Sequence, residues 1–193
     1  MLNRVIVSVL LQYYRAMIFI DPNTGNEMGR KTGDEINSTG NDAIGANAWR
    51  TDITVSFLLQ ILSLYMTYDA VLSWFDCFLF FVASCGFTIC YWAYYTLSEY
   101  YTFRIGIRKD HKVISTGPYK YVRHPGYIGQ LMVRIPTLLF YRFGLLMTIV
   151  LLLPTVYFYK KRILSEEEML LKQFGDEYKE FSSTRYRLIP YIF

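Results

Sequence analysis

The sequence predicts an all-α protein, a polytopic membrane helix bundle of about five transmembrane helices with a C-terminal helix. Two observations support this fold class. Hydrophobic residues make up 53% of the 193 residues, give a mean hydropathy of +0.19, and are concentrated in long blocks. Of the 20 Lys and Arg, 13 lie in two segments, 104–123 and 160–187, that directly flank apolar blocks. This arrangement is typical of membrane helices and their cytosolic ends.

The first apolar block, residues 2–20, is interrupted by Arg4 and Arg15. A cleaved signal peptide would need a small-x-small site, and none follows Phe19. We therefore interpret the block as a first transmembrane helix with its arginines near the ends. The following segment, 21–52, is dominated by Gly, Asn, Asp, Ser and Thr, which predicts a flexible polar loop.

Four further apolar blocks supply the remaining spans. Residues 53–68 and 77–98 are free of charge, and the turn between them contains two Asp but no Lys or Arg, so it should face away from the cytosol. Blocks 128–141 and 143–159 are separated by a turn too short for a domain, which predicts a helical hairpin. Pro154 in the last block should kink its helix.

The tail after the hairpin begins with Lys160, Lys161 and Arg162 and is predicted to contain the C-terminal helix. Ser165 is a suitable N-cap, and the three glutamates after it favour a first helical turn. Apolar residues then recur at helical spacing, which predicts one apolar face: Leu170, Leu171, Phe174, Tyr178 and Phe181.

These elements divide the chain into two regions. Residues 1–101 would contain the N-terminal transmembrane helices and the polar loop, and residues 102–193 the cofactor segment, the hairpin and the C-terminal helix. With both basic segments in the cytosol, five spans place loop 21–52 there too and the N-terminus outside. The basic segments could also bind nucleic acid, but their position beside apolar blocks favours a membrane surface instead.

Chemistry-bearing residues are concentrated in two places. Both histidines, His111 and His124, lie in the basic segment before the hairpin, among turn formers, aromatic rings and cationic donors. Two histidines are as often structural as functional, but this setting suits a polar, aromatic-bearing cofactor beside a lipid. Arg162 with the acids 166–168 is more often a capped surface helix, yet the topology brings it to the same membrane face.

Four motifs follow one another in the C-terminal half: His111-x-Val113-Ile114-x-x-Gly117-x-Tyr119, Arg123-His124-Pro125-x-Tyr127-x-Gly129, Glu167-Glu168-x-x-Leu171 and Phe174-Gly175-x-Glu177-Tyr178. Over residues 102–193 this combination resembles the isoprenylcysteine carboxyl methyltransferase family. Arg-His-Pro-x-Tyr by itself is also similar to membrane phospholipid methyltransferases and sterol reductases, so the specificity lies in the combination.

The resemblance implies S-adenosyl-L-methionine as the cofactor. It implies catalytic roles for Arg162 and Glu167, with Arg162 bound to the lipid substrate. No metal site is predicted, because the three cysteines lie in one apolar block without the spacing of ligands. Ile114 stands where the family more commonly has valine, which should keep the adenine wall apolar. The cofactor-binding residues that it implies are His111, Lys112, Val113, Ile114, Tyr119, His124, Pro125, Gly126, Tyr127 and Glu167.

The reaction implied is methyl esterification of the C-terminal prenylcysteine of lipidated proteins. A carboxylate nucleophile needs no general base, so the protein has to align the reacting atoms and exclude water. N-methylation of a phospholipid amine is the alternative, and there Glu167 would serve as the base. Two further alternatives are a relative of the NADPH-dependent sterol reductases, which the ending Tyr186-Arg-Leu-Ile-Pro190 resembles, and a membrane scaffold without activity.

Arg134 lies inside a predicted span, where an arginine costs about 2.5–3.5 kcal/mol on insertion scales. Such a cost favours a role in the substrate pocket, although Arg134 is close enough to Tyr127 to reach the interface instead. The expected partners are a membrane and prenylated protein C-termini or another lipid, with no nucleic acid. The site would face the cytosol, at the endoplasmic reticulum in a eukaryote or the plasma membrane in a prokaryote.

Overall fold

The computed structural model describes residues 2–17, 71–97 and 112–189, together with Tyr100 and seven positions between 54 and 65. Within this part of the chain no strand is present, and one isolated parallel bridge pairs Val122 with Tyr186. The predicted all-α class is confirmed. The elements are helix α1 (Leu2–Met17), α2 (Trp74–Leu97), a 3-10 turn (Gly117–Lys120), α3 (Pro125–Phe140), α4 (Leu145–Phe174) and α5 (Asp176–Ser183).

Among the described residues, α2 is the one helix that is both long and apolar enough to cross a membrane, judged by length and composition. Helices α1, α3 and α4 begin within five residues of the predicted blocks 2–20, 128–141 and 143–159, so the hairpin formed by the last two is confirmed. The predicted span 53–68 lies largely outside the described residues. The number of five spans therefore stays a prediction.

Helices α2 and α3 pack with their backbones in near contact. A Cβ atom on Gly129 would lie 2.5 Å from Cys90 Sγ and 2.6 Å from the carbonyl oxygen of Gly86. Small residues permit this close packing between helices, particularly between membrane helices. The Cys90 thiol also donates to the carbonyl oxygen of Gly126 at 3.3 Å. The first turn of α3 is thus held firmly on α2.

A hydrophobic core lies where α1 meets the opposite end of the α2–α3 pair. The ring of Tyr14 on α1 stacks on Phe87 of α2, with centroids 4.7 Å apart. The buried members of this core come from α1, α2 and the end of α3: Leu11, Leu79, Ala83, Leu138, Phe140 and Tyr141. This core leaves the other end of the bundle, where α3 begins, for polar side chains.

The N-terminus of α2 is fixed by Ser73 and Asp76. The Asp76 carboxylate accepts hydrogen bonds from the backbone N–H and the hydroxyl of Ser73, and that hydroxyl in turn accepts from the Asp76 N–H. This reciprocal arrangement is a capping box. Arg142, with φ of 58° in the turn after α3, donates to the same carboxylate at 2.7 Å. One buried carboxylate therefore joins the start of α2 to the α3–α4 turn.

Replacing Arg142 by alanine should lower the free energy of unfolding by about 2 kcal/mol, because it leaves the buried Asp76 carboxylate without its cationic partner. The loss is smaller than for a fully buried pair, since the Arg142 side chain is 40% exposed. The measurement is thermal unfolding of the purified chain. As a control, Lys179→Ala breaks an exposed pair with Asp176 and should have almost no effect. Equal unfolding temperatures for the two variants would contradict the assignment.

The C-terminal helix does not begin at Ser165, and that prediction is wrong. Helix α4 runs without a break through Pro154 and Ser165 to Phe174. The residues around Ser165 are mostly strong helix formers. Arg162 also pairs with Glu166 one turn later, which supports the helix across the supposed start. The acids therefore lie on the same rigid helix as the second half of the hairpin.

The predicted apolar face of the tail is likewise interrupted. Helix α4 ends at Phe174, and the next residue, Gly175, has a positive φ of 54° that favours glycine. The short helix α5 (Asp176–Ser183) begins directly after Gly175. Its Tyr178 and Phe181 are buried, whereas Leu171 on α4 is 41% exposed. Of these two aromatic residues, Tyr178 lies near the charged site described next.

Candidate functional site

His124 stands at the N-cap position of α3, immediately before Pro125. Proline is favoured at the first helical position because its fixed φ suits the helix and its missing N–H costs nothing there. The imidazole is buried, and its Nε2 lies 3.2 Å from Oε1 of Glu167 on α4. An ionised carboxylate only accepts, so we infer that Nε2 carries the proton. The turn before α3 and the C-terminal third of α4 therefore meet.

Glu167 is surrounded by cationic groups. Nη1 of Arg123 lies 3.0 Å from its Oε1, and Nε of Arg187 donates to Oε2 at 2.9 Å. Burial by itself raises the pKa of the Glu167 carboxyl, but the hydrogen bond from His124 and the guanidinium groups outweigh it and hold this pKa below its usual range. Glu167 is therefore a firmly ionised anchor on which three basic residues converge.

Glu166, one position earlier, contacts a different set of side chains. Its Oε1 accepts from the Tyr127 hydroxyl at 2.6 Å and from Nε of Arg162 at 2.9 Å. Its Oε2 lies 3.8 Å from Nδ1 of His124, beyond hydrogen-bonding distance. The Glu166 side chain is 22% exposed against 10% for Glu167. Glu166 is thus the carboxylate more accessible to a bound molecule.

Aromatic rings form a wall beside the two carboxylates. The ring of Tyr127 lies 5.9 Å from that of His124 and 5.1 Å from that of Tyr159, measured between centroids. Tyr178 of α5 is buried near Glu167, and burial together with that carboxylate raises the pKa of its hydroxyl. Charged groups therefore sit here in a partly dry setting, where their interactions are stronger than in water.

The segment preceding His124 is only partly described. His111, a predicted cofactor ligand, lies outside the described residues. Lys112 is exposed, Val113 and Ile114 are half-buried, and Tyr119 is buried in the 3-10 turn. These placements leave the predicted cofactor roles of this segment as predictions.

The 3-10 turn that carries Tyr119 is held on α2 by Gly117. Its φ is 56°, a conformation that glycine adopts without strain. A Cβ at this position would lie 2.7 Å from Oγ1 of Thr96, near the end of α2. The turn is therefore pressed against the same end of α2 that supports the start of α3.

Three other predicted residues lie on α3. Pro125 and Gly126 are buried in its first turn, and a Cβ on Gly126 would lie 3.1 Å from the ring of Tyr94 on α2. Arg134 is half-buried in the middle of the helix. Its role in a substrate pocket stays a prediction, as do the cofactor contacts predicted for Pro125 and Gly126.

The sequence interpretation gave no site role to Glu166, Arg123 or Arg187, although it noted Glu166 among the acids after Arg162 and Arg123 in a motif. Glu166 could have been found, because it stands four residues after Arg162 and such pairs meet on a helix. Arg123 stands next to His124 in the quoted motif, but the motif does not show that Glu167 is its ion-pair partner. Nothing in the sequence places Arg187 beside Glu167. Glu168, quoted in the glutamate pair, is exposed and bonds Lys172 at 2.6 Å, away from the site.

The described residues thus define an all-helical protein whose ionised site lies where the α3–α4 hairpin meets the turn before α3. Residues 77–172, which include α2, α3 and most of α4, match the model of the isoprenylcysteine carboxyl methyltransferase (ICMT) family. Through that segment, about half of the chain, the protein is similar to this family.

Individual relatives agree with the family match. A rice protein (Oryza sativa subsp. indica) named probable protein-S-isoprenylcysteine O-methyltransferase is 35% identical over 89 residues, 46% of each chain. A Schizosaccharomyces pombe protein-S-isoprenylcysteine O-methyltransferase is 33% identical over 84 residues, 44% of this chain and 35% of that protein. The same name is carried by a Dictyostelium discoideum protein, 30% identical over 89 residues. The matches thus cover less than half the length of these relatives.

Proposed function

We propose that this protein transfers a methyl group from S-adenosyl-L-methionine to the C-terminal prenylcysteine carboxylate of lipidated proteins, at the cytosolic face of a membrane. The family match and the names of the relatives support the reaction class. The observation in this chain that carries the proposal is the contact of the His124–Tyr127 turn with Arg162, Glu166 and Glu167 on α4. A cationic cofactor and an anionic substrate could both be held there.

The side chains fit the charged groups of S-adenosyl-L-methionine. Its amine and sulfonium are cationic, and Glu166 is a partly exposed carboxylate beside the rings of His124, Tyr127 and Tyr159, which can face a cation. Three guanidinium groups surround the site against two carboxylates, so these five side chains favour an additional anionic group such as a carboxylate. When bound, the cofactor supplies an activated methyl group on sulfur.

Arg162 is the residue that we assign to the substrate carboxylate. Its Nε donates to Glu166, which fixes the plane of the guanidinium. A fixed guanidinium can bind a carboxylate in two-point geometry, and a lysine cannot reproduce this. The burial of His124 and Glu167 beside it excludes water, which otherwise solvates the carboxylate and weakens it as a nucleophile. The expected role of the protein is therefore orientation and water exclusion.

The same geometry disfavours N-methylation of a phospholipid amine. That reaction needs a base to remove a proton from the amine, and the sequence nominated Glu167 for this role. Glu167 accepts from Arg187 and His124, lies 3.0 Å from Arg123, and has a lowered pKa, so it is a poor base. A carboxylate substrate needs no base. The electrostatics of the site therefore support ester formation.

The test is methyl transfer by the purified full chain in lipid nanodiscs with methyl-labelled S-adenosyl-L-methionine. We expect base-labile, volatile label with a farnesylcysteine analogue and none with its C-terminal amide, because the amide lacks the nucleophilic carboxylate. Phosphatidylethanolamine should remain unlabelled. Label retained in that lipid would overturn the ester assignment in favour of N-methylation, and no label in any acceptor would overturn the methyltransferase proposal.

A further inference from the structure

The chain returns to the site after α5. The backbone N–H of Arg123 donates to the carbonyl oxygen of Tyr186 at 2.9 Å, and the N–H of His124 donates to the carbonyl oxygen of Arg187 at 3.1 Å. Together with the parallel bridge of Val122 to Tyr186, these bonds make a short two-stranded contact. The backbone of the histidine turn is thus held by the C-terminal segment.

Arg187 makes a second contact with the site through its side chain. Its Nε donates to Oε2 of Glu167 at 2.9 Å, while Oε1 of the same carboxylate faces Arg123 and His124. Arg187 therefore fixes His124 in two ways. Its carbonyl oxygen accepts from the backbone N–H of His124, and its guanidinium binds Glu167, the carboxylate that the His124 imidazole contacts.

We propose that Arg187 is a positioning residue for methyl transfer, which acts by fixing Glu167 and, through it, His124. This inference rests on the proposed function. The match to the family extends from residue 77 to residue 172, so Arg187 lies beyond it. Loss of the guanidinium leaves Glu167 Oε2 without its charged donor, and the carboxylate can then rotate and displace the imidazole bonded to Oε1.

The groups facing Glu167 come from every element around it. They are Glu166 on α4, Arg123 and His124 before α3, Tyr178 on α5, and Arg187 in the tail. Arg187 is one of the groups that keep the Glu167 pKa low, so its removal should raise that pKa. Since the ionised carboxylate is the form that holds His124, the acid limb of the activity profile should then move to higher pH.

The test compares Arg187→Ala with Arg185→Ala in the full chain in nanodiscs. Arg185 is a matched control, because its guanidinium contacts its own segment at the Phe181 carbonyl oxygen and Thr184. We expect Arg187→Ala to lower kcat about tenfold and to move the acid limb upward, whereas Arg185→Ala stays within about twofold of the parent. Arg187→Lys should recover part of the loss because it restores a charged donor.

A double-variant comparison separates positioning from a general loss of folding. If Arg187 acts through Glu167, Arg187→Ala should add almost nothing to the loss caused by Glu167→Gln. Additive losses, or equal behaviour of the Arg187 and Arg185 variants, would overturn the inference.

An additional measurement needs no activity and distinguishes failure of this inference from failure of the proposed function. In the ligand-free protein, hydrogen exchange at the amides of Arg123 and His124 should be several times faster in Arg187→Ala than in Arg185→Ala. Faster exchange supports the positioning role even if no acceptor is methylated. Equal exchange in the two variants overturns it even if the parent protein is active.

Discussion

Replacing Glu166 by glutamine should reduce methyl transfer to a farnesylcysteine analogue about a hundredfold, because two charge-assisted contacts are lost together. Glutamine keeps the size of the side chain but removes its charge. Oε1 of Glu166 accepts from both Tyr127 and Arg162. The substitution therefore weakens the contact to Tyr127, in the proposed cofactor site, and the contact to Arg162, which we assign to the substrate carboxylate. Initial rates with labelled S-adenosyl-L-methionine, together with its direct binding, measure the effect.

Glu168→Gln is the matched control for this experiment. Glu168 is two positions away on the same helix, is exposed, and pairs with Lys172 at 2.6 Å. The same chemical change there should leave the rate within about twofold, since exposed helix pairs contribute little. A Glu166→Gln variant with the parent rate, or equal losses in both variants, would show that Glu166 has no special place in the site.

Three consecutive glutamates illustrate what the sequence could and could not predict here. Successive residues on a helix point about 100° apart. Glu166 therefore contacts Tyr127 and Arg162, Glu167 contacts the turn before α3, and Glu168 points to solvent. The sequence correctly predicted that acids of the tail would approach the histidine turn, but a resemblance by motif could not resolve which acid takes which direction.

Features that depend on neighbouring residues were predictable from the sequence, whereas those that depend on distant packing were not. The α3–α4 hairpin followed from two apolar blocks with a short turn, and the start of α3 carries a proline that favours a first helical turn. The predicted helix start at Ser165 was wrong. A serine followed by acidic residues resembles an N-cap, but the same pattern also occurs inside a helix of strong helix formers. The contact of Arg187 with Glu167 depends on the direction of α5, which no local pattern encodes.

The position of His124 depends on the packing of α3 against α2, so a change at that helix contact, outside the charged groups, should also destabilise the fold that holds the site. Replacing Gly129 by alanine should lower the free energy of unfolding by about 2–3 kcal/mol, at the upper end of the usual cost of overpacking. The new Cβ would lie 2.6 Å from the carbonyl oxygen of Gly86 and 2.8 Å from the backbone N of Cys90. These are backbone atoms, so the two helices have to separate.

Alanine is favoured over glycine within a helix by about 1 kcal/mol, which offsets only part of that cost. Gly126→Ala is the matched comparison on the same helix, because its Cβ would lie 3.1 Å from the ring of Tyr94, a side chain that can shift. Thermal unfolding of the purified variants should therefore rank the parent and Gly126→Ala well above Gly129→Ala. If Gly129→Ala unfolds at the parent temperature, the close α2–α3 contact does not hold the start of α3 in place.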